Sequence, residues 1–474
     1  MHGLQPTKRI CVIGAGASGL AALKVISDTS HFRSGAWSLT AFESRESVGG
    51  IWSPAPPATD PPLTPLYDSL TTNLPHPIMA FMSYSFPPST PLFPPAQVVL
   101  DYLKSFAHHF HLLPLIQFNT TVISAKWDNT GWLVTVSTGE TLAFDHVIVA
   151  NGHYRLPRIP NIPGVDHWLR IRRASHSAWY RSPQALGHKV LVVGGGPSGQ
   201  DIAAEMRSYA TVVVHSVSGA LVEGDAHFKR VGRALRFYDD GRVLFEGDIV
   251  EEEIDYCILA TGYKFDFPFF ASDVIRTEQV PSHSPLPPDL YNSTHHVFPL
   301  AMFIFPLQSH YPASSLAFMG LPFKVVPMPL MEAQACAIVR VISDPSSLNK
   351  QREAEKVTAR SQLLARWGAS TLSEQAKIWL RFQGTEQWDY RDDLFAFAAQ
   401  SGDCPAVKVR PWEKSMYSVK KVLRDAWRDL ESRGEAHKWV EGVGENSVEE
   451  WVEMMERLLK HAKEKRKIAV IPEA

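Results

Sequence analysis

Two stretches of the chain carry the same succession of apolar strand, glycine-rich turn and helix. The first begins with a short apolar run from Lys8 to Ile13. It passes through Gly14-Ala15-Gly16-Ala17-Ser18-Gly19 into a pattern with Leu20, Leu23 and Ile26 at helical spacing. A second strand, Ser38 to Phe42, ends at Glu43. The succession recurs at Lys189 to Val193, followed by Gly194-Gly195-Gly196-Pro197-Ser198-Gly199, a helix over Asp201 to Met206 and a strand over Thr211 to Val214. Between them the pattern predicts a helix from Val98 to Phe110 and a hairpin of Thr121 to Trp127 with Trp132 to Val136. A strand from Phe144 to Val149 then leads into Ala150-Asn151-Gly152. Residues 350 to 400 read as helical. In the tail, Val448, Trp451, Met455, Leu458 and Ala462 stand at helical spacing behind Ser447-x-x-Glu450, a capping-box signature.

One region breaks this alternation. Of the 35 prolines, 13 fall between Pro54 and Pro95, a spacing that neither a central strand nor an unbroken helix survives. Its aromatic residues Tyr67, Phe81, Tyr84, Phe86 and Phe93 predict a packed, wrapping loop with a functional role.

Composition narrows the classes of partner. The 474 residues amount to about three domains. With 45% hydrophobic and 20% charged residues, the chain is neither disordered nor collagenous nor coiled coil. Lys and Arg number 47 against 49 Asp and Glu, so charge gives no reason to expect nucleic acid or an anionic membrane. The four cysteines, Cys11, Cys257, Cys336 and Cys404, form no CxxC pair. This argues against a disulfide scaffold, a cysteine-rich zinc site or a dithiol redox motif, and for a reducing compartment. The longest strongly apolar run, Val297 to Pro306, falls short of the roughly 20 residues a spanning helix needs. No signal peptide is read at the start. The expectation is a cytoplasmic protein without metal that acts on a small molecule, its oligomeric state open.

In each G-x-G-x-x-G turn the first glycine makes the tight turn and the second lets a pyrophosphate approach the backbone. The third lets the helix pack on the strand. Glu43, 29 positions after Gly14, can accept ribose hydroxyls. Two dinucleotide sites on one chain predict electron exchange, most naturally between a flavin and a nicotinamide. A flavin reductase and a non-catalytic nucleotide-binding protein use the same turns. The missing dithiol removes the commonest reductase, and labelled O2 or a colourless purified protein would distinguish the rest.

On these residues the chain resembles the flavin-containing monooxygenases, class B enzymes that use FAD and NADPH, and most of all their fungal members. The first turn with Glu43 and Gly49-Gly50-Ile51-Trp52 resembles the family's FAD site. Tyr67 with Leu70-Thr71-Thr72-Asn73-Leu74-Pro75 resembles its active-site loop, and Asp145 to Gly152 and Asp255 to Tyr263 resemble its two linking strands. The resemblance implies an α/β fold of two Rossmann-like dinucleotide-binding domains, the second inserted in the first, with a helical C-terminal extension. The FAD domain is expected at 1–183 and 266–400, the NAD(P)H domain at 184–265 and the helical region at 401–474. Gly14, Gly16, Ser18, Gly19, Glu43, Gly50, Ile51, Trp52, Thr72 and Asn73 are expected around FAD. Gly194, Gly196, Pro197, Ser198 and Gly199 are expected around NADPH, with Val122, His176, Thr261 and Gly262 as further cofactor contacts.

The implied reaction moves one atom of O2 to a soft sulfur or nitrogen nucleophile through a flavin C4a-hydroperoxide, with fungal specialised metabolism as one setting the resemblance implies. Asn73 is the candidate catalytic residue, because its amide can hydrogen-bond the reacting oxygen and the flavin. The family motif F-x-G-x-x-x-H-x-x-x-Y is retained only at His176 and Tyr180, with Arg170 and Arg172 in the places of Phe and Gly. Tyr180-Arg181, where Baeyer–Villiger relatives carry Trp before Asp or Pro, favours heteroatom oxygenation. After the strand Thr211 to Val214 the family often has an arginine for the NADPH 2′-phosphate, whereas here stands His215-Ser216-Val217-Ser218. Lys229, Arg230 and Arg233 are the candidate substitutes, and a weakened preference for NADPH over NADH is expected.

Overall fold

Alternate residues of the strand Lys8–Ile13 serve different cores. Ile10 and Val12 pack with Leu39, Ala41, helix Ala17–Ser27 and helix Pro327–Ser343. Cys11 and Ile13 join Trp132, Val134 and Phe318 on the other side. Burial on both faces is why the strand reads as a continuous apolar run. A computed structural model describes residues 7–220, 222–277 and 279–468, which divide into two compact units.

The first unit comprises the chain up to Ser53, Thr71–Gly152 and the residues from Phe265 onward. Its parallel sheet runs Leu316–Phe318, His146–Val149, Lys8–Ile13, Trp37–Phe42, Ile116–Gln117 across its width. One edge strand therefore comes from far down the sequence. The strand expected over Phe144 to Val149 is two strands. Thr141–Phe144 pairs antiparallel with Trp132–Val136, and His146–Val149 enters the parallel sheet. Asp145 turns the chain between them, its carboxylate accepting the Arg9 backbone N–H at 2.7 Å and pairing with the Arg9 guanidinium at 3.1 Å. The C-terminal helices Lys420–Ser432 and Val448–Ile468 contribute Trp427, Leu430, Trp451, Met455 and Leu458 to this unit's core.

The second unit comprises Pro54–Leu70 and His153–Lys264, more than the expected 184–265. The reason is the strand Ala174–His176, which lies parallel to Tyr256–Leu259 as the edge of this unit's own sheet. From that edge the order is Ala174–His176, Tyr256–Leu259, Lys189–Val193, Val212–Ser216, Phe228–Val231 and a short antiparallel Glu223–Gly224. Val190 and Val192 pack on helix Pro197–Met206 with Ile202, Ala203 and Met206. Leu191 and Val193 face Trp168, Phe237 and Phe245.

The proline-rich stretch contains no strand, and its one α-helical turn is His76–Met79. Its two halves belong to different units, 54–70 to the second and 71–95 to the first. Among the described residues no helix is long and apolar enough to cross a membrane.

Candidate cofactor sites

Both glycine turns lie at the carboxyl end of a central parallel strand and are built by the same hydrogen bonds. Gly14 donates its N–H to Phe42 O at 2.9 Å, and Ala150 donates to Ile13 O at 2.9 Å. In the second unit Gly194 donates to Ser216 O at 2.9 Å, and Ala260 to Val193 O at 2.8 Å. Gly14 (φ +100°) and Gly194 (φ +130°) adopt a left-handed backbone that favours glycine. A Cβ on Gly14 would lie 2.7 Å from Ala150 O, and one on Gly194 would strike Ala260 O. Cβ atoms on Gly19 and Gly199 would strike the carbonyl oxygens of Gly14 and Gly194, so each helix presses directly on its turn.

Neither helix is capped by a side chain. Their first N–H groups, which have no intrahelical partner, remain for an anion. Helix Pro197–Met206 starts on Pro197, and Ser198 follows in its first turn.

The first turn has a second wall. Gly49 donates to Ala15 O at 3.2 Å, and Gly50 lies so close that a Cβ on Gly16 would come within 3.3 Å of its Cα. Arg45 fixes this wall by donating to Gly50 O at 3.3 Å and to Ser53 O at 2.7 Å, and Ile51 and Trp52 follow in a 3-10 turn, both half-buried. Glu43 is buried, with Oε2 accepting the Ala15 N–H at 2.8 Å and Oε1 the Arg45 N–H at 2.9 Å. Ser44 Oγ also donates to Oε1 at 3.3 Å, and Oε2 keeps a lone pair for a ribose hydroxyl. A third element borders Ser18. A Cβ on Gly320, just past the edge strand, would lie 2.6 Å from Ser18 Oγ, and Gly320 donates to the wholly buried Gln334 at 2.9 Å. This cradle of glycine backbones, uncapped amides and a ribose-accepting carboxylate fits a dinucleotide such as FAD.

Thr72 and Asn73 lie in the first unit. Thr72 is buried, its hydroxyl donating to Leu74 O at 2.8 Å and its N–H to Pro94 O at 3.0 Å. That turn leaves Asn73 exposed, with no side-chain hydrogen bond to any described residue. Val122 opens the strand Val122–Trp127 with its side chain buried, two residues after Thr120 donates to Glu43 O at 2.9 Å.

The second turn is more open. Gly195, Gly196 and Pro197 are exposed, and a Cβ on Gly196 would meet nothing within 4 Å. That vacant approach fits a pyrophosphate. Thr261 donates to Arg158 O at 2.6 Å, and Gly262 accepts from Arg158 N–H at 2.9 Å, so this pair shapes the loop beside the turn. His176 is almost wholly buried. Its Nδ1 accepts the Ala178 N–H at 3.0 Å, and burial lowers its pKa to about 4, so the ring is neutral and builds the turn that leads to Tyr180.

The structural roles of several residues here escaped the sequence reading. Arg181 donates to Ala178 O, Tyr180 O, Ala55 O and Thr64 O, stapling the 54–70 loop to its unit. Asp201 and Glu205, one turn apart on the helix after the second glycine turn, accept from Tyr67 at 2.8 Å and from Ser69 and Tyr180. The i,i+4 acidic spacing was the available signal. Gln334 had one too, as a polar residue in an apolar helix.

The chain matches the flavin-binding monooxygenase-like family model over residues 7–227 and 228–378. It is 32% identical over 360 residues to the thiol-specific monooxygenase of Saccharomyces cerevisiae, covering 70% of this chain and 77% of that protein. It is 29% identical over 457 residues to the flavin-containing monooxygenase FMO GS-OX5 of Arabidopsis thaliana, covering 89% and 92%. Its structure is similar to that of S-allyl-L-cysteine S-oxygenase from Allium sativum, with a TM-score of 0.72 at 25% identity, covering 97% and 98% of the two chains. The chain belongs to the flavin-binding monooxygenase-like family. It is a flavin-dependent monooxygenase with FAD and NADPH as cofactors and O2 and a small molecule as reactants.

Proposed function

We propose that this monooxygenase transfers oxygen to a soft nucleophilic atom of a small molecule, sulfur before nitrogen, with FAD at the first glycine turn and NADPH at the second. The observation that carries the reading is the pair of equivalent turns, one in each compact unit, each at the carboxyl end of parallel strands with an uncapped helix behind it. The preference for sulfur is supported by the thiol-specific yeast relative and the S-oxygenase from garlic. The yeast relative also supports a likeness to fungal members.

Bound flavin supplies the redox chemistry that takes hydride from the nicotinamide and activates O2. The chain's part is binding and orientation. The amides at Gly16 to Ser18 hold the pyrophosphate, Glu43 accepts from the ribose, and Arg45 keeps Gly50 against the turn. Gly196 to Ser198 hold the second pyrophosphate. Asn73 presents a carboxamide to the oxygen in transit, and Thr72 holds it outward. Arg181, Asp201 and Glu205 keep the 54–70 loop packed on the second unit.

Incubation of the purified enzyme with NADPH, labelled O2 and a panel of thiols, thioethers and amines tests the reading. One labelled oxygen atom in a sulfur product is expected. NADPH oxidation that yields only H2O2 across the panel would instead support an oxidase.

A further inference from the structure

The residue that meets the adenosine ribose differs between the two turns. The matching bonds Gly14 N to Phe42 O and Gly194 N to Ser216 O put Val217 at the place of Glu43. An acid there would accept a ribose hydroxyl and repel a phosphate, and valine does neither. A phosphate on that ribose has to be read from a neighbouring element.

Three cations stand near. Lys229 is engaged with Lys189 on Glu251, at 3.0 Å from each ammonium. Arg230 pairs in register with His215, gives one terminal nitrogen to Glu223 at 3.1 Å, and has its Nε buried. Arg233 differs. Its side chain is 61% exposed and only its Nε is engaged, at 3.1 Å from Glu246 Oε1. Its two terminal nitrogens make no bond to a described residue, so the outer fork is available for bidentate contact with a phosphate. Glu246 Oε2 accepts the Arg233 N–H at 2.9 Å and the Gly219 N–H at 3.4 Å. The ion pair is therefore held at the segment that follows the strand, two residues beyond Val217.

We propose that Arg233, aimed by Glu246, reads the 2′-phosphate of the nicotinamide coenzyme in place of position 217. This rests on the reading of the second turn as the NADPH seat. The lock is a single exposed arginine brought in from the connection just after the neighbouring strand Phe228–Val231, so its discrimination is modest.

Calorimetric titration of the flavin-loaded enzyme with 2′,5′-ADP and with 5′-ADP tests the assignment without turnover. The wild type is expected to bind 2′,5′-ADP more tightly. Arg233→Ala should weaken that binding by about tenfold and leave 5′-ADP unchanged. Arg233→Lys, which keeps charge without the fork, should fall between. Unaltered melting temperature and flavin content are expected for both variants. An unchanged 2′,5′-ADP affinity in Arg233→Ala, or its loss in Arg230→Ala alone, overturns the proposal. If neither probe binds the wild type, the placement of NADPH at this turn fails, and the role of Arg233 falls with it.

Discussion

The two glycine turns share the backbone hydrogen bonds that tie them to their flanking strands, yet one is enclosed and the other open. The first is flanked by Gly49 and Gly50, braced by Arg45 and closed by Gly320 and Gln334, with a buried acid at its strand end. The second has no such wall at its second glycine, and a valine stands at the acid's place. A cofactor that stays through many turnovers profits from enclosure, whereas one that must leave after each hydride transfer needs an open seat. The difference lies outside the motif, in what the rest of each unit packs against it.

The largest effect is expected where the turns are alike. Gly14→Ala and Gly194→Ala each put a Cβ onto a neighbouring carbonyl at positive φ, and each should cost more than about 3 kcal/mol. Chemical denaturation should show both losses. If one variant is tolerated, the two turns are not equivalent.

The second glycines should separate them. Gly16→Val collides with Gly50, so the variant should lose both FAD and thermal stability. Gly196→Val points into open space and should leave the unfolding free energy within about 0.5 kcal/mol of wild type while raising the Kd for NADP+ at least about tenfold. A Gly16→Val protein with full FAD content would break the comparison.

Asn73 tests whether the enclosed unit does more than hold a nucleotide. Asn73→Ser should spare flavin reduction by NADPH, because both turns are intact. Losing the amide contact should cost about 1 to 3 kcal/mol in oxygen handling. The expected result is more H2O2 and less oxygenated product per NADPH consumed. Wild-type coupling would reduce Asn73 to a turn residue.

The smallest effect comes from giving the open turn the acid of the enclosed one. Val217→Glu should move the NADPH-to-NADH preference by about tenfold toward NADH, measured by stopped-flow flavin reduction. An unchanged ratio would mean that residue 217 does not face the ribose.

Much of this was legible because local chemistry dictates it. Glycine spacing, strand hydrophobicity and Glu43 follow from constraints within a few residues of each turn. The split at Asp145 was not, since a partner 136 positions away, Arg9, decides where one sheet ends and the other begins. The second unit's early start was hidden for the same reason, because Ala174–His176 becomes a strand only beside Tyr256–Leu259. At the tail, the Glu450 carboxylate accepts from the Gly444 N–H at 2.8 Å and from the Asn446 side-chain amide at 2.7 Å, an arrangement that the serine-based box did not describe. Arg181 resembled a passing detail of a motif until its carbonyl partners, up to 126 positions away, were in view.

The edge strand Leu316–Phe318 has a consequence for how the protein is made. The sheet that carries the first turn cannot be completed until residue 318 has left the ribosome, whereas the second unit's last residue, Lys264, emerges earlier. At ordinary synthesis speeds the nascent chain waits roughly 8 to 34 s with His146–Val149 unpaired along one side. An unpaired strand edge of this kind is aggregation-prone, so rapid expression is expected to yield aggregated protein that never acquires its yellow colour.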